Sequence, residues 1–308
     1  MITRRARSAA LCALGAALVG CGAHGVQDAG HPERPGHATA SASASASPSP
    51  SRPPTLAPGP AGLTPVFMNG PRTDGKTVAL TFDADMTADQ GPRAAAGEHF
   101  DNPELIATLR RLKVPSTVFM TGRWADEYPD EARSLGRDPL FEIANHSYSH
   151  YAFTPDCYGL PTIEPAQMRS DVERAFTAFR RAGVPHVMPY FRFPGGCYDD
   201  RALRELTPVG VTAVQWDVVS GDAFATDADA VAQQVLDGVR PGSVVVMHCT
   251  RSAAPVTEEA VRTIVPELRE RGFRFVKVSE LIGAKAGEAA EAGDRGQAGG
   301  SGQASGRG

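Results

Sequence analysis

Three observations predict a parallel α/β fold built on a closed or nearly closed barrel. Short apolar, β-rich runs alternate with helix-period stretches, seven strand and helix pairs can be counted, and no Gly-rich dinucleotide fingerprint follows the first strand. The strand candidates are 77–82, 116–120, 141–144, 190–192, 211–216, 243–247 and 273–276. The clearest helix between them covers 165–182, where Met168, Val172, Ala175, Phe176 and Phe179 share one face and Arg169, Asp171, Arg174 and Arg180 lie largely off it.

Composition sets the boundaries. Arg4, Arg5 and Arg7 precede an uncharged Ala- and Leu-rich stretch over 8–20, with the charge order of a secretory h-region and too short to span a bilayer. It ends in Leu18-Val19-Gly20-Cys21, which resembles a bacterial lipobox. Residues 1–20 are therefore expected to be removed and Cys21 acylated, leaving an extracytoplasmic lipoprotein on the cell membrane. Residues 21–60 are Ala, Ser, Pro and Gly with almost no large apolar side chain and read as a flexible tether. A lead-in (61–75) precedes one domain over 76–283, and 284–308 read as a disordered tail.

The formal net charge is −4 and the basic residues are dispersed, which argues against a nucleic-acid partner and leaves a monomer as the expectation. Apart from Cys12 and Cys21 the cysteines are Cys157, Cys197 and Cys249, which in an oxidising compartment allow one disulfide and one free thiol.

The polar residues fall at strand ends. Asp83 and Asp85 follow the first strand, His146 and His150 the third, Arg192 ends the fourth, Asp217 follows the fifth and His248 the sixth. In a parallel barrel these carboxyl ends share one face, where the βα loops build a site. The i, i+4 spacing of His146 and His150 places two imidazoles on one side of a helical turn, and a carboxylate from the first strand supplies a third ligand. Two nitrogens and one oxygen suit Zn²⁺, with Co²⁺, Ni²⁺ and Mn²⁺ also compatible. No G-x-S-x-G elbow marks a serine nucleophile in the folded region.

Thr81-Phe82-Asp83-Ala84-Asp85, His146-Ser147-Tyr148-Ser149-His150, Arg192-Phe193-Pro194-Gly195-Gly196, Trp216-Asp217 and Val246-Met247-His248 resemble, in order and spacing, the five motifs of the polysaccharide deacetylases, the NodB-homology group of carbohydrate esterase family 4. The resemblance covers essentially the whole folded region and implies a distorted (β/α)7 barrel. It also implies a divalent metal on Asp85, His146 and His150, with Asp83 as general base on the attacking water, His248 as the acid that protonates the leaving amine, and Arg192 pairing with Asp83. A backbone N–H near Gly195 would stabilise the oxyanion, an interaction worth about 3 kcal/mol in other enzymes.

Two departures from the family pattern stand out. Ala84 separates two aspartates that are usually adjacent. The acidic residue that tunes the catalytic histidine would align near Val219, so the role falls to Asp217, which shares its strand parity, or to Asp222. Trp216 and Phe224 with Met247 are expected to line a slot for the acetyl methyl. The barrel brings the loops after His150 and Arg192 together, pairing Cys157 with Cys197, while strand alternation turns Cys249 away from the side His248 faces. Export and anchoring favour peptidoglycan as substrate. Chitooligosaccharides, O-acetyl-xylan and a non-catalytic wall-binding role are the alternatives.

Overall fold

The computed structural model describes residues 52–298 apart from Asp74. The signal, lipidation (Cys21) and most of the tether readings lie outside the described residues, as does the end of the tail. In chain order the elements are β1 (Val66–Phe67), β2 (Thr77–Ala84), α1 (Gly91–Ala95), α2 (Pro103–Leu112), β3 (Ser116–Met120), α3 (Gly122–Glu127), α4 (Pro129–Arg137), β4 (Phe141–Asn145), α5 (Pro165–Ala182), β5 (Tyr190–Phe191), α6 (Asp200–Leu206), β6 (Thr212–Val214), β7 (Val218–Val219), α7 (Ala228–Gly238), β8 (Ser243–His248), α8 (Thr257–Glu270), β9 (Arg274–Phe275) and α9 (Val278–Ala298).

Every strand pair is parallel, and the sheet runs β1-β6-β5-β4-β3-β2-β8-β7, with β9 on the start of β2. The seven expected strands are all present, and β1 and β7 are additions. The closure explains the distortion. Residues 212–219 form one run that changes partners: β6 lies between β5 and β1, Gln215 N–H still donates to Phe67 O, and then Asp217 N–H donates to Val244 O as β7 joins β8.

Alternation along β2 and β8 divides the core. Leu80, Phe82, Val245 and Met247 face outward and pack with Phe179, Val235 and Ile264 of the surrounding helices. Ala79, Phe119, Ala144, Tyr190, Val214 and Val244 form a second cluster inside the sheet. Asp83 and His248, paired in register, continue the inward rows at the carboxyl ends.

The opposite end is plugged by α9. Val278, Leu281 and Ile282 join the inner cluster, Val278 N–H donates to Thr117 Oγ1 and Ser279 N–H to the buried Glu142 carboxylate, capping the first turn of the helix. Two boundaries change as a result. The first part of the segment from residue 284 is helical: α9 runs to Ala298, its Ala and Glu residues favouring helix while Gly287, Gly293 and Gly296 oppose it. The tether also ends early: Pro54 O accepts from the Tyr190 hydroxyl, and Leu56 packs on the inner cluster.

Ile282, on the inward side of this plug, is fully buried. Ile282→Ala is expected to lower unfolding free energy by about 2–5 kcal/mol in urea denaturation; an unchanged midpoint would mean that α9 does not close the barrel.

Candidate active site

Arg192 lies just beyond β5 and is completely buried. Its Nη1 donates to Asp83 Oδ1 at 2.6 Å, its Nε donates to Val214 O at 3.2 Å, and its guanidinium stands 3.9 Å from the Phe119 ring centre and 5.4 Å from that of Trp216. Burial alone would push this guanidinium towards its neutral form, and Asp83 opposes that. A single residue thus ties the end of β5 to the ends of β2 and β6.

The segment after β4 is not the helical turn that the i, i+4 spacing suggested. Ser147 (φ 68°) and His150 (φ 56°) both take left-handed backbone, and the chain folds into a tight loop that still brings the two imidazole centres to 5.0 Å. Polar groups from α5 and β4 hold it. Asp171 Oδ2 accepts from Tyr148 N–H, Ser149 N–H and the Ser149 hydroxyl, and Asn145 Oδ1 accepts from Ser147 N–H while its Nδ2 donates to Val172 O. Asp171, read from the sequence as an off-face polar residue of α5, is buried for this purpose. Its i, i+3 spacing from Met168 and i, i+4 spacing to Ala175, both core residues, is the signal for that burial.

His146 Nδ1 lies 2.9 Å from Arg192 O, a pure acceptor, so the proton is on Nδ1 and the Nε2 lone pair faces the site. That Nε2 lies 3.3 Å from Asp85 Oδ1, and His150 Nε2 lies 3.5 Å from the same oxygen. Asp85 Oδ1 is buried with no hydrogen-bond partner among the described residues, an arrangement that protein groups alone do not satisfy. The three ligand atoms lie within 4.8 Å of one another, and this donor set fits a divalent cation. Burial raises the Asp85 carboxyl, but His150, His146 and His248 outweigh it and hold the group well below the usual carboxylate range. Burial, with His146 and His248 nearby, pushes His150 down to about 4 against the pull of Asp85, leaving it a neutral donor at pH 7.

His248 Nε2 faces Asp85 Oδ2 at 3.8 Å, and its Nδ1 is fixed to Asp222 Oδ1 at 2.8 Å. Asp222 Oδ2 also accepts from His248 N–H and the Thr257 hydroxyl, so the carboxylate clamps both ring and backbone. Burial disfavours the imidazolium, yet Asp222 outweighs it and raises His248 to about 10. The partner of His248 is therefore Asp222, and Asp217 is not in the site. Asp217 receives Arg72 Nη2, Ser243 Oγ and Val244 N–H at the amino end of β8, the far end from His248. Strand parity does not carry through to Asp217, because residues 212–219 switch partners between Gln215 and Asp217.

The expected apolar slot is also corrected. Met247 is buried under the helices, because the alternation that turns His248 inward turns Met247 outward. Phe224 is 83% exposed and lines no slot. Trp216 remains at the site, against Arg192 and Gly196, and an added Cβ at Gly196 would strike its ring. Gly195 (φ 65°) and Gly196 (φ 74°) make the turn after Pro194, and a Cβ at Gly195 would lie 2.6 Å from Cys157 Sγ. Cys157 and Cys197 form a disulfide that joins the His150 loop to this turn, and Cys249 is buried with a free thiol.

A family model described as polysaccharide deacetylase matches residues 70–214. A chitooligosaccharide deacetylase from Sinorhizobium fredii is 30% identical over 215 residues, 65% of this chain and 89% of that one. A peptidoglycan-N-acetylglucosamine deacetylase from Bacillus cereus is 27% identical over 205 residues, 66% of this chain and 67% of that one. Among solved structures, a family 4 carbohydrate esterase from Streptomyces lividans in complex with acetate superposes with a TM-score of 0.53 at 27% identity, covering 65% of this chain and 91% of that one. With the same barrel, the same motif order and a relative matched over nearly its whole length, the chain belongs to the polysaccharide deacetylase family.

Proposed function

We propose that this chain is a metal-dependent hydrolase that removes acetyl groups from the N-acetylated sugars of peptidoglycan, working outside the cytoplasm from a lipid anchor at Cys21. The observation that carries the metal reading is the unpartnered, buried Asp85 Oδ1 facing two imidazole nitrogens. Asp85, His146 and His150 would hold the ion, Zn²⁺ or one of Co²⁺, Ni²⁺ and Mn²⁺. Such an ion supplies Lewis acidity towards the acetamide carbonyl and lowers the pKa of water.

The remaining steps belong to the chain. Asp83 is held through Oδ1 by Arg192, so its Oδ2 is directed towards the site, 3.7 Å from His146 Nε2, to take the proton of the attacking water. Water adds to the carbonyl carbon, and the oxyanion is met by the backbone N–H at Gly195. The C–N bond then breaks, His248 delivers a proton to the departing nitrogen, and acetate and a free amine result. Asp222 keeps His248 charged and oriented for that transfer. Trp216, beside the Gly196 turn, flanks the acyl group.

Support for a glucosamine-type substrate comes from the names of the Sinorhizobium and Bacillus relatives. Peptidoglycan is preferred over chitooligosaccharide because the lipobox-like Cys21 would place the domain at the wall. Acetate and amine release from peptidoglycan, chitin oligomers and acetyl-xylan, with and without chelator, tests the assignment. Undiminished turnover in a verified metal-free protein would end the metal reading.

Asp83→Asn should retain metal near wild-type stoichiometry and lose ~10²- to 10⁴-fold in kcat, whereas Asp85→Asn should lose metal, with partial recovery of rate on adding ion. Metal content of both purified variants decides this, and loss of the ion from Asp83→Asn alone would invert the roles. An acid catalyst works only while protonated, so activity falls as pH rises through the pKa of His248. Asp222→Asn removes the group that raises it, and the alkaline limb of the kcat/KM profile should move down by about one to two pH units. An unmoved limb would show that His248 is not the acid.

A further inference from the structure

Basic side chains that are dispersed along the sequence gather at one end of the barrel. In a parallel barrel the helices run against the strands, so their last turns lie at the amino end of the sheet and their first turns at the carboxyl end, where the site is. The last turns carry Arg110 and Arg111 (α2), Arg137 (α4), Arg180 and Arg181 (α5), Arg204 (α6) and Arg269 (α8). The first turns carry Glu104 (α2), Asp130 and Glu131 (α4), Asp200 (α6), Asp229 (α7), and Glu258 and Glu259 (α8). Each placement complements its helix dipole. Together they make the amino end cationic and the carboxyl end anionic.

The amino end carries more positive charge than it neutralises. Arg72, Arg110, Arg271 and Arg274 are held by Asp217, Asp138, Glu267 and Glu280, and Arg181 by Asp126. Arg111, Lys113, Arg137, Arg180 and Arg269 are exposed and join no ion pair among the described residues. Lys76, Arg204, Arg240, Lys277 and Lys285 add to them, against the remaining carboxylates Glu205, Asp237, Glu270 and Glu288. The surface is continuous across three helix ends. Arg269 Nη2 donates to Leu112 O at 2.6 Å, joining α8 to α2, and Arg110 Nε donates to Asp138 Oδ2 at 2.7 Å, joining α2 to the end of α4.

The chain also enters the domain at this end. Pro54 O accepts from the Tyr190 hydroxyl beneath the sheet, and a Cβ at Gly283 of α9 would meet the Pro54 ring. An anchor at Cys21 is therefore joined to the domain at its cationic end. Anionic phospholipid headgroups attract basic side chains held at their surface and repel an acidic face. We propose that the amino end of the barrel docks on the anionic headgroups of the membrane, which turns the carboxyl end and its site outward, towards the wall. The binding itself depends on neither the acyl group nor the deacetylase reading.

Co-sedimentation with vesicles tests this, using the chain from residue 21 with Cys21→Ser, which carries no acyl group. It should bind vesicles containing phosphatidylglycerol, not bind phosphatidylcholine vesicles, and be released by about 1 M salt. Arg111→Gln, Arg137→Gln and Arg180→Gln should each weaken binding about fivefold. Arg201→Gln, which removes the same charge from the first turn of α6 at the carboxyl end, should leave it unchanged. Equal binding to both vesicles, an equal loss in Arg201→Gln, or tighter binding of a soluble poly(glycerol phosphate) than of the vesicles at matched phosphate and salt would overturn the proposal, the last by assigning the face to a wall polymer. Metal-dependent acetate release from chitin oligomers, measured without vesicles, separates the two readings: its absence would contradict the deacetylase while leaving the docking face intact.

Discussion

The site is organised by one buried ion pair. Arg192 carries its charge into a fully dehydrated position, where an unpaired guanidinium would be strongly destabilising, and Asp83 at 2.6 Å is what permits it. The same residue spends its other groups on geometry: its carbonyl fixes the His146 tautomer, its amide donates to Asn145 O, and its Nε reaches Val214 O. Three strand ends and one imidazole therefore share a common reference point. Asp83 is also left with a single free oxygen, Oδ2, which on the proposed assignment is the one that takes the proton.

Around that pair the charges are separated by role. Asp85 is surrounded by imidazoles and lacks a hydrogen-bond donor, which prepares it for a cation; Asp222 is saturated by donors from His248, Ser220 and Thr257, which prepares it to hold an imidazolium. Two carboxylates of the same chemistry are divided by what surrounds them. The supports come from outside the strands: Asp171 of α5 holds the His146–His150 loop, and the disulfide joins that loop to the Gly195 turn. The left-handed backbone at Ser147 and His150 persists because these supports over-determine the loop.

Much of this was legible in the sequence because strand ends are legible. Apolar runs followed at once by Asp, His or Arg locate the carboxyl ends, and a parallel barrel then gathers them without any knowledge of contacts. Asp83, Asp85, His146, His150, Arg192 and His248 all arrive by that route. What failed depended on local departures from regular geometry. The partner switch within 212–219 broke the parity count and sent Asp217 to the wrong end of the barrel. Met247 is the exception: it obeys the same regular alternation as Cys249, which turns both towards the helices and away from the site. The loop at His146 has helical spacing without helical backbone, since its hydrogen bonds come from Asp171 and Asn145, far away or side-chain mediated. The helix after residue 283 carries no apolar period and is interrupted by Gly287, Gly293 and Gly296, so neither pattern nor propensity marks it in the sequence.

The central claim is that Asp85, His146 and His150 hold the ion while Asp83 stays with Arg192. Anomalous diffraction from crystals grown with Zn²⁺, recorded on both sides of the zinc absorption edge, tests it most directly. The account predicts one strong peak about 2.0–2.2 Å from an Asp85 carboxylate oxygen and from Nε2 of both histidines, with the Asp83 to Arg192 hydrogen bond intact. A peak bound by Asp83 in place of Asp85, or no peak between the two histidines, would contradict it.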